Sequence, residues 1–361
     1  WEQRKLGKIV KIIGGGTPST SNSNYWNGDI NWYSPTEIGK KNFIFTSKKK
    51  ITKLGLQHSS AKILPGKQTI LFTSRAGIGD MAIMQTDGCT NQGFQSWVIE
   101  NNSVNIYFLY SLGKNIKKEA IRKASGSTFL EISNKEVKKI PLFIPSKHEQ
   151  DKLGKLLLVL DNLLSLQQRR LESFQFTYHE IIRRLFLKKA KWQQTKLSDL
   201  VIILDKNRKP VKKEDRLFGD TPYYGANGIQ DYISGFTHKG EFILIAEDGA
   251  NNLTEYPIYF VKGQIWVNNH AHVLKVNKDV SPLFLTLALK QINYSKYTVG
   301  SSRNKLNLKD LENIAIFIPD NNEQQKIGQF YSNYLNYLRI NKKRIQYMKQ
   351  FKQFLLQNMF I

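Results

Sequence analysis

The chain repeats itself, and the repeat limits its fold more than any other feature. Trp1 opens WEQRKLGKIVKII and Trp192 opens WQQTKLSDLVIIL, an offset of 191 residues. Gly126 opens GSTFLEISNKEVKKIPLFIPSKHEQDKLG and Gly300 opens GSSRNKLNLKDLENIAIFIPDNNEQQKIG, an offset of 174. Between Ser125–Phe186 and Val299–Phe360 about 15 of 62 paired positions are identical, among them Ile140/Ile314, Phe143/Phe317, Pro145/Pro319, Glu149/Glu323 and Gln150/Gln324. The order is variable, shared, variable, shared. Such a period is far too long for a solenoid unit. At ~150 residues per domain, a chain of 361 residues holds two or three domains. The expectation is an α+β chain of two pseudo-repeated α/β domains, residues 1–146 and 191–320, with connectors at 147–190 and 321–361.

Both connectors read as long helices. Each follows a strand-like run closed by proline, LFIP at Leu142–Pro145 and IFIP at Ile316–Pro319. Proline ends a strand and keeps the preceding residue extended. Ser146 and Asp320-Asn321 then supply N-cap chemistry, with Glu149 and Glu323 in the first turn. In the first connector Leu153, Leu157, Leu160, Leu164, Gln167, Leu171, Phe174, Tyr178, Ile181 and Leu185 step by four and three, a heptad seam. Adding 174 gives Ile327, Tyr331, Tyr334, Leu338, Asn341, Ile345, Met348, Lys352, Leu355 and Met359, a poorer seam that Lys352 breaks. Two such helices predict an antiparallel coiled-coil pair. The polar positions Gln167 and Asn341 are equivalent and near mid-helix, so they are expected to face each other and fix the register.

The variable segments read as β-rich. QTILFTSRAGIGDMAIM at Gln68–Met84 looks like strand, turn, strand, and so do TPYYGANGIQDYI at Thr221 and EFILIAEDGANN at Glu241. GQIWVNNHAHVLKV at Gly263 suggests two strands around a tight Asn-Asn-His turn. Lys and Arg number 54 against 29 Asp and Glu, a net charge of +25, which calls for a polyanion or acidic partners. The loops carry the side chains that hydrogen-bond base edges. Candidates for DNA contact are Thr17, Ser19, Arg75, Asn91, Gln92, Ser127 and Thr128 in the first half. In the second they are Tyr224, Asn227, Asn251, Asn268, Asn269, His270, Arg303 and Asn304. Lys206, Arg208 and Lys209 would meet phosphates.

Recognisable catalytic chemistry is missing from the sequence. It contains no GxxxxGK[ST] phosphate loop, no Asn/Asp-Pro-Pro-Tyr/Phe methyltransferase tetrapeptide, no HExxH and no GxSxG. Gly14-Gly15-Gly16 runs into Thr-Pro rather than a helix start. A single cysteine, Cys89, excludes a disulfide framework and a Cys₄ zinc site. The expected set of catalytic, cofactor and metal residues in this chain is therefore none. Apolar runs such as Leu156–Leu160 are far short of the ~20 residues that span a bilayer, and no secretory leader is visible, so a soluble cytoplasmic protein is expected. A start at Trp1 rather than Met predicts that residues precede it.

With these motifs in hand, the sequence resembles the specificity subunit of type I restriction–modification systems over essentially its whole length. The resemblance rests on WEQRKLG and its echo WQQTKLS, on GGTPS…YWNGDI, on TSRAGIG followed by TNQG, on PYYGANGI, EDGA and WVNNHAHVL, and on the duplicated IP…EQ before a long helix. It implies that each variable segment is a target recognition domain reading half of a bipartite double-stranded DNA site in the major groove. It implies two antiparallel helices that set the spacer and dock two modification subunits. Those subunits bind S-adenosylmethionine and methylate adenine. Restriction subunits using ATP and Mg²⁺, and DNA-mimicking anti-restriction proteins, are further partners the family admits, in a bacterial cytoplasm. A specificity subunit of a related type IIB-like system, a self-sufficient nuclease or methyltransferase, and a coiled-coil adaptor without sequence reading are the alternatives.

Overall fold

The computed structural model describes residues 1–100, 102–126, 130–187, 192–250, 252–253, 255–300 and 304–358. The chain divides into two compact units. The first comprises Trp1–Gln168 with Arg344–Ile361, the second Arg169–Lys343. Both connectors are continuous helices, Lys147–Leu187 and Asn321–Asn358, and each contributes one part to each unit.

The repeat is visible as one frame built twice. In the first unit Glu2–Lys5 pairs antiparallel with Pro141–Ile144, Gln3 opposite Phe143. In the second, Gln193–Lys196 pairs with Ala315–Ile318, Gln194 opposite Phe317. Each ribbon is continued by one backbone bond, Leu6 N to Ile140 O at 2.9 Å and Leu197 N to Ile314 O at 2.9 Å. The tryptophan that opens each half then packs edge-on against a phenylalanine, Trp1 on Phe108 at 6.1 Å and Trp192 on Phe284 at 5.7 Å.

The shared glutamine explains why the Glu-Gln pair recurs. Gln150 is 2% exposed. Its Nε2 donates to Pro145 O (3.0 Å) and its Oε1 accepts from Asn105 N (3.0 Å). Gln324, 4% exposed, repeats both bonds with Pro319 O and Ser281 N, each at 3.0 Å. Asn105 and Ser281 are themselves N-caps of short helices, Ile106–Ser111 and Pro282–Leu289. One amide thus ties the end of a strand to the start of a helix, satisfying two backbone groups that water cannot reach. Gly154 and Gly328 make room for this: a Cβ would fall 2.3 Å from Asn105 Oδ1 and 2.8 Å from Ser281 Oγ.

Within each unit the variable segment forms mostly antiparallel sheet. The first unit holds a five-stranded sheet in the order Lys11–Gly14, Gln95–Val98, Thr69–Phe72, Met81–Met84, Phe43–Ile44. A three-stranded sheet follows, Lys49–Ile51, Trp26–Tyr33, Gly88–Thr90. The second unit holds six strands in the order Val201–Ile203, Ala271–Val276, His238–Ala246, Ile258–Val267, Phe218–Gly225, Gly228–Ile233. The Asn-Asn-His connection is as short as expected, but the strands it joins do not pair. His238–Ala246 lies between them, hydrogen-bonded to both. Gly240 (φ +143°) and Gly263 (φ +105°) sit opposite each other in this sheet. Only glycine adopts that backbone readily, which accounts for glycine on both strands at this pair.

The helices follow the heptad seam with one departure. In the second unit Phe174 packs on Tyr337 (4.1 Å) and Tyr178 stacks flat on Tyr334 (3.3 Å, 5°), so the helices run antiparallel there. In the first unit Lys352, which breaks the apolar seam, forms an ion pair with Asp161, 13% exposed. Tyr107 Oη (2.6 Å) and Asn42 Nδ2 (3.2 Å) donate to the same carboxylate. Ile181 was expected in the seam but is 46% exposed, and Ile182 at 3% replaces it. From Tyr178 the buried positions step by four, through Ile182 to Phe186, and the last of them packs on Trp192 and Phe284 in a core that also holds Ile327, Tyr331 and Tyr334 of the second long helix. A straight helix of 3.6 residues per turn drifts off a 3.5 repeat in this direction. No helix among the described residues is long and apolar enough to cross a membrane.

Candidate nucleic-acid interface

In the first unit three loops converge. Gly15 and Gly16 lie flush against Thr90 and Asn91. Gly16 N donates to Thr90 O (2.8 Å), and a Cβ on Gly15 would sit 1.9 Å from Asn91 O. The Thr17 hydroxyl hydrogen-bonds Gln92 Oε1. Asn91 Oδ1 accepts from Gly93 N (2.8 Å), and Gly93 O accepts from Ser74 N (2.8 Å), which brings Arg75 alongside. The turn after Arg75 is tight: Ala76 and Gly77 have φ +53° and +106°. Ser19 stands at the outer edge, its Oγ 2.8 Å from Ser21 Oγ. Thr17, Arg75, Asn91 and Gln92 therefore form one surface cluster, with exposed lysines at Lys48 and Lys49 on the same unit.

In the second unit the strand ends carry the corresponding cluster. Asn268 N donates to Tyr224 O (3.0 Å), Asn227 Nδ2 to Gly249 O (2.9 Å) and Gly249 N to Asn304 O (3.2 Å). Asn268 is 5% exposed, and its Oδ1 caps His270 N at 2.8 Å. It shapes the turn, while Asn269 beside it is exposed. His270 Nδ1 meets Asp248 Oδ1 at 2.5 Å. Burial pushes the Tyr224 phenol above its ordinary value. The structure thus gathers Tyr224, Asn227, Asn268, Asn269, His270 and Asn304. Ser127, Thr128, Asn251 and Arg303 lie outside the described residues. Gln167 belongs to the first unit. Asn341 belongs to the second, where its Nδ2 donates to Tyr337 O on its own helix (2.8 Å).

The three basic candidates divide. Lys206 and Lys209 are exposed. Arg208 is turned inward, 15% exposed, against Glu247 (2.6 Å) and Asp205 (3.4 Å), so its guanidinium is committed to the protein rather than offered to a phosphate. Sequence reasoning missed this group, which also holds His272, 2% exposed, with Nδ1 2.6 Å from Asp205 Oδ2. His270 and His272 have separate carboxylate partners, Asp248 and Asp205. Donor atoms of Asp205, Glu247 and His272 lie within 4.8 Å of one another. That spacing suits a metal ion, but Arg208 supplies positive charge there. Burial by itself would raise the Asp205 carboxyl. The hydrogen bond and charge of His272, the Val273 N–H and Arg208 outweigh it and hold the carboxyl below its ordinary value.

Comparison with known proteins agrees with this architecture. The family model for the type I restriction modification DNA specificity domain matches residues 1–174 and 189–350. A putative type I restriction enzyme specificity subunit of Haemophilus influenzae is 41% identical over 150 residues, 40% of this chain and 38% of that protein. The chain therefore spans little more than a third of that relative in the matched region. The type I restriction enzyme MjaIX specificity subunit of Methanocaldococcus jannaschii is 25% identical over 398 aligned positions, covering 99% of this chain and 91% of that one. The crystal structure of a type I restriction-modification S subunit from M. genitalium shares the fold. Its TM-score is 0.72 at 18% identity, over 100% of this chain and 96% of that one. The doubled frame, the paired loop clusters and the family match, which takes in both halves, have one conclusion: this chain belongs to the type I restriction–modification DNA specificity family.

Proposed function

We propose that this chain supplies sequence recognition to a type I restriction–modification complex. Each unit's loop cluster reads one half of a bipartite DNA site, and the two long helices set the spacer between the halves. The observation that carries this reading is the pair of clusters, Thr17–Arg75–Asn91–Gln92 and Tyr224–Asn227–Asn269–Asn304, hung on one frame built twice. Asn, Gln and Arg are the side chains that match base edges bidentately. Ser19, Ser127, Thr128, Asn251, His270 and Arg303 join them by loop position, and Lys206 and Lys209 supply sequence-independent phosphate contacts. Gln167 and Asn341 fix the helix register.

Two modification subunits dock on the helices. Leu156, Val159, Leu163 and Leu166, 42%, 46%, 42% and 60% exposed, form a second apolar line at heptad spacing, suited to a partner helix. S-adenosylmethionine is bound, and adenine methylated, in those subunits. Restriction subunits bring ATP and Mg²⁺, all in the bacterial cytoplasm.

The test lengthens the helices. Four residues inserted into each at matched depth add ~6 Å, nearly two base-pair steps of ~3.4 Å. Sequencing the methylated sites of a host carrying the variant should show both half-sites kept and the spacer longer. A changed half-site with an unchanged spacer refutes the assignment.

A further inference from the structure

We propose that Arg208, with Asp205, Glu247 and His272, is a positioning device for the second reading head. It fixes sequence choice in one half-site without touching DNA. The inference rests on the function proposed above and names the group that holds one of its two heads in shape.

Arg208 is unlike the basic residues around it. Its Nη1 donates to Glu247 Oε2 (2.6 Å), to Ala271 O (3.0 Å) and to Asn269 O (3.5 Å), and its Nε donates to Asp205 O (3.1 Å). The two carbonyls flank His270. One guanidinium therefore clasps the connection that carries Asn268, Asn269 and His270. The acids it neutralises hold the rest of the cluster. Glu247 N donates to His270 O (2.9 Å), and Glu247 O accepts from Leu306 N (2.7 Å). His272 Nε2 meets Leu306 O at 2.9 Å, and Asp205 Oδ1 accepts from Val273 N at 2.9 Å. Lys305 Nζ lies 3.5 Å from Glu247 at the rim. The cluster thus joins the Asn268–His270 connection to the hairpin strand Lys305–Leu306 beside Asn304. Base readout needs donors held within a fraction of an ångström, and buried charge-assisted bonds to backbone carbonyls provide that.

A bipartite site gives the experiment an internal control. Arg208→Gln and Glu247→Gln are made in the assembled methyltransferase complex, and methylation is read on a library randomised in both half-sites. The expected result is an unchanged first half-site and a second half-site relaxed by roughly tenfold at one or more positions. The slope of log affinity against log salt should stay as in the wild type, because no phosphate contact is lost. Retention of the first half-site reports that the complex is folded and assembled. Should Arg208→Gln fail to assemble, Glu247→Gln decides, since it removes charge but leaves both carbonyl bonds to Arg208 in place. Uniform weakening at all sequences with a salt slope lower by about one assigns Arg208 to a phosphate and overturns the proposal. An unchanged second half-site in both variants overturns it too. A wild-type complex without any bipartite preference defeats the underlying function instead, and is seen before any variant is made.

Discussion

Gln150 offers the most direct check on how the frame is held. Gln150→Leu keeps the size of the side chain and removes both of its hydrogen bonds. Pro145 O and Asn105 N are then left without partners at a site only 2% exposed, where water cannot replace the amide. Each stranded group costs about 1–3 kcal/mol, and the apolar side chain returns about 1 kcal/mol. The net loss is about 1–5 kcal/mol. For a unit of this size that lowers the melting temperature by about 2–20 °C. Gln324→Leu is a replicate within the same molecule, since Pro319 O and Ser281 N take the same two bonds at 3.0 Å. Thermal unfolding of each single variant, followed by circular dichroism, reads the two losses one at a time. Glu at position 150 sharpens the test. Its carboxylate keeps the acceptor for Asn105 N but turns an oxygen toward Pro145 O, so the variant should regain stability as acid protonates it. A Leu variant within 2 °C of wild type at either position would show that the recurrent glutamine is not a structural tie.

Two further predictions concern charge. Lys352→Met restores an apolar seam but strands Asp161. It should lower stability by about 1–3 kcal/mol, and a double-mutant cycle with Asp161→Leu, measured by urea unfolding, should show coupling between the two sites, the double variant still bearing the cost of the Tyr107 and Asn42 donors that lose their acceptor. Asp205 has its carboxyl held below the ordinary value by its folded surroundings. The stability this adds is complete above the unfolded value of about 3.9 and is lost as pH falls through the lower folded value. Acid unfolding of the second unit should therefore show a component that Asp205→Asn lacks, and identical acid profiles would refute it.

The sequence makes the frame legible because its signals are local or periodic. The duplicated tryptophans, the FIP strands and the heptads all lie within short windows, and each falls on an element of the expected kind. The loop clusters were legible as composition, so Thr17, Arg75, Asn91 and Gln92, or Asn227 and Asn304, could be named before their proximity was known. What escaped depends on long-range partners. Arg208 read as a phosphate contact because it stands among lysines. Its actual partners, Glu247 and Ala271, are 39 and 63 residues away. Lys352 looked like a flaw in the seam for the same reason, its acid being 191 residues distant. The Glu-Gln pair was visible as a helix start, but nothing local marks Asn105 or Ser281 as the groups that need the amide. Ile182 displaced Ile181 because a heptad count does not register that the last turns also face a domain core, with Trp192 and Phe284 in it.

The closing bonds Leu6–Ile140 and Leu197–Ile314 bound everything that differs between the halves. Strand register, tryptophan and glutamine are alike in the two halves, and besides its closure each frame holds its insert at one shared internal place, the capped start of the helix at Ile106 or Pro282. Such a frame works as a socket: it grips its insert by the two ends and by that one helix. The loops away from these grips are then free to change wholesale, and a new insert that keeps both ends and the capped helix would fit without alteration to the scaffold.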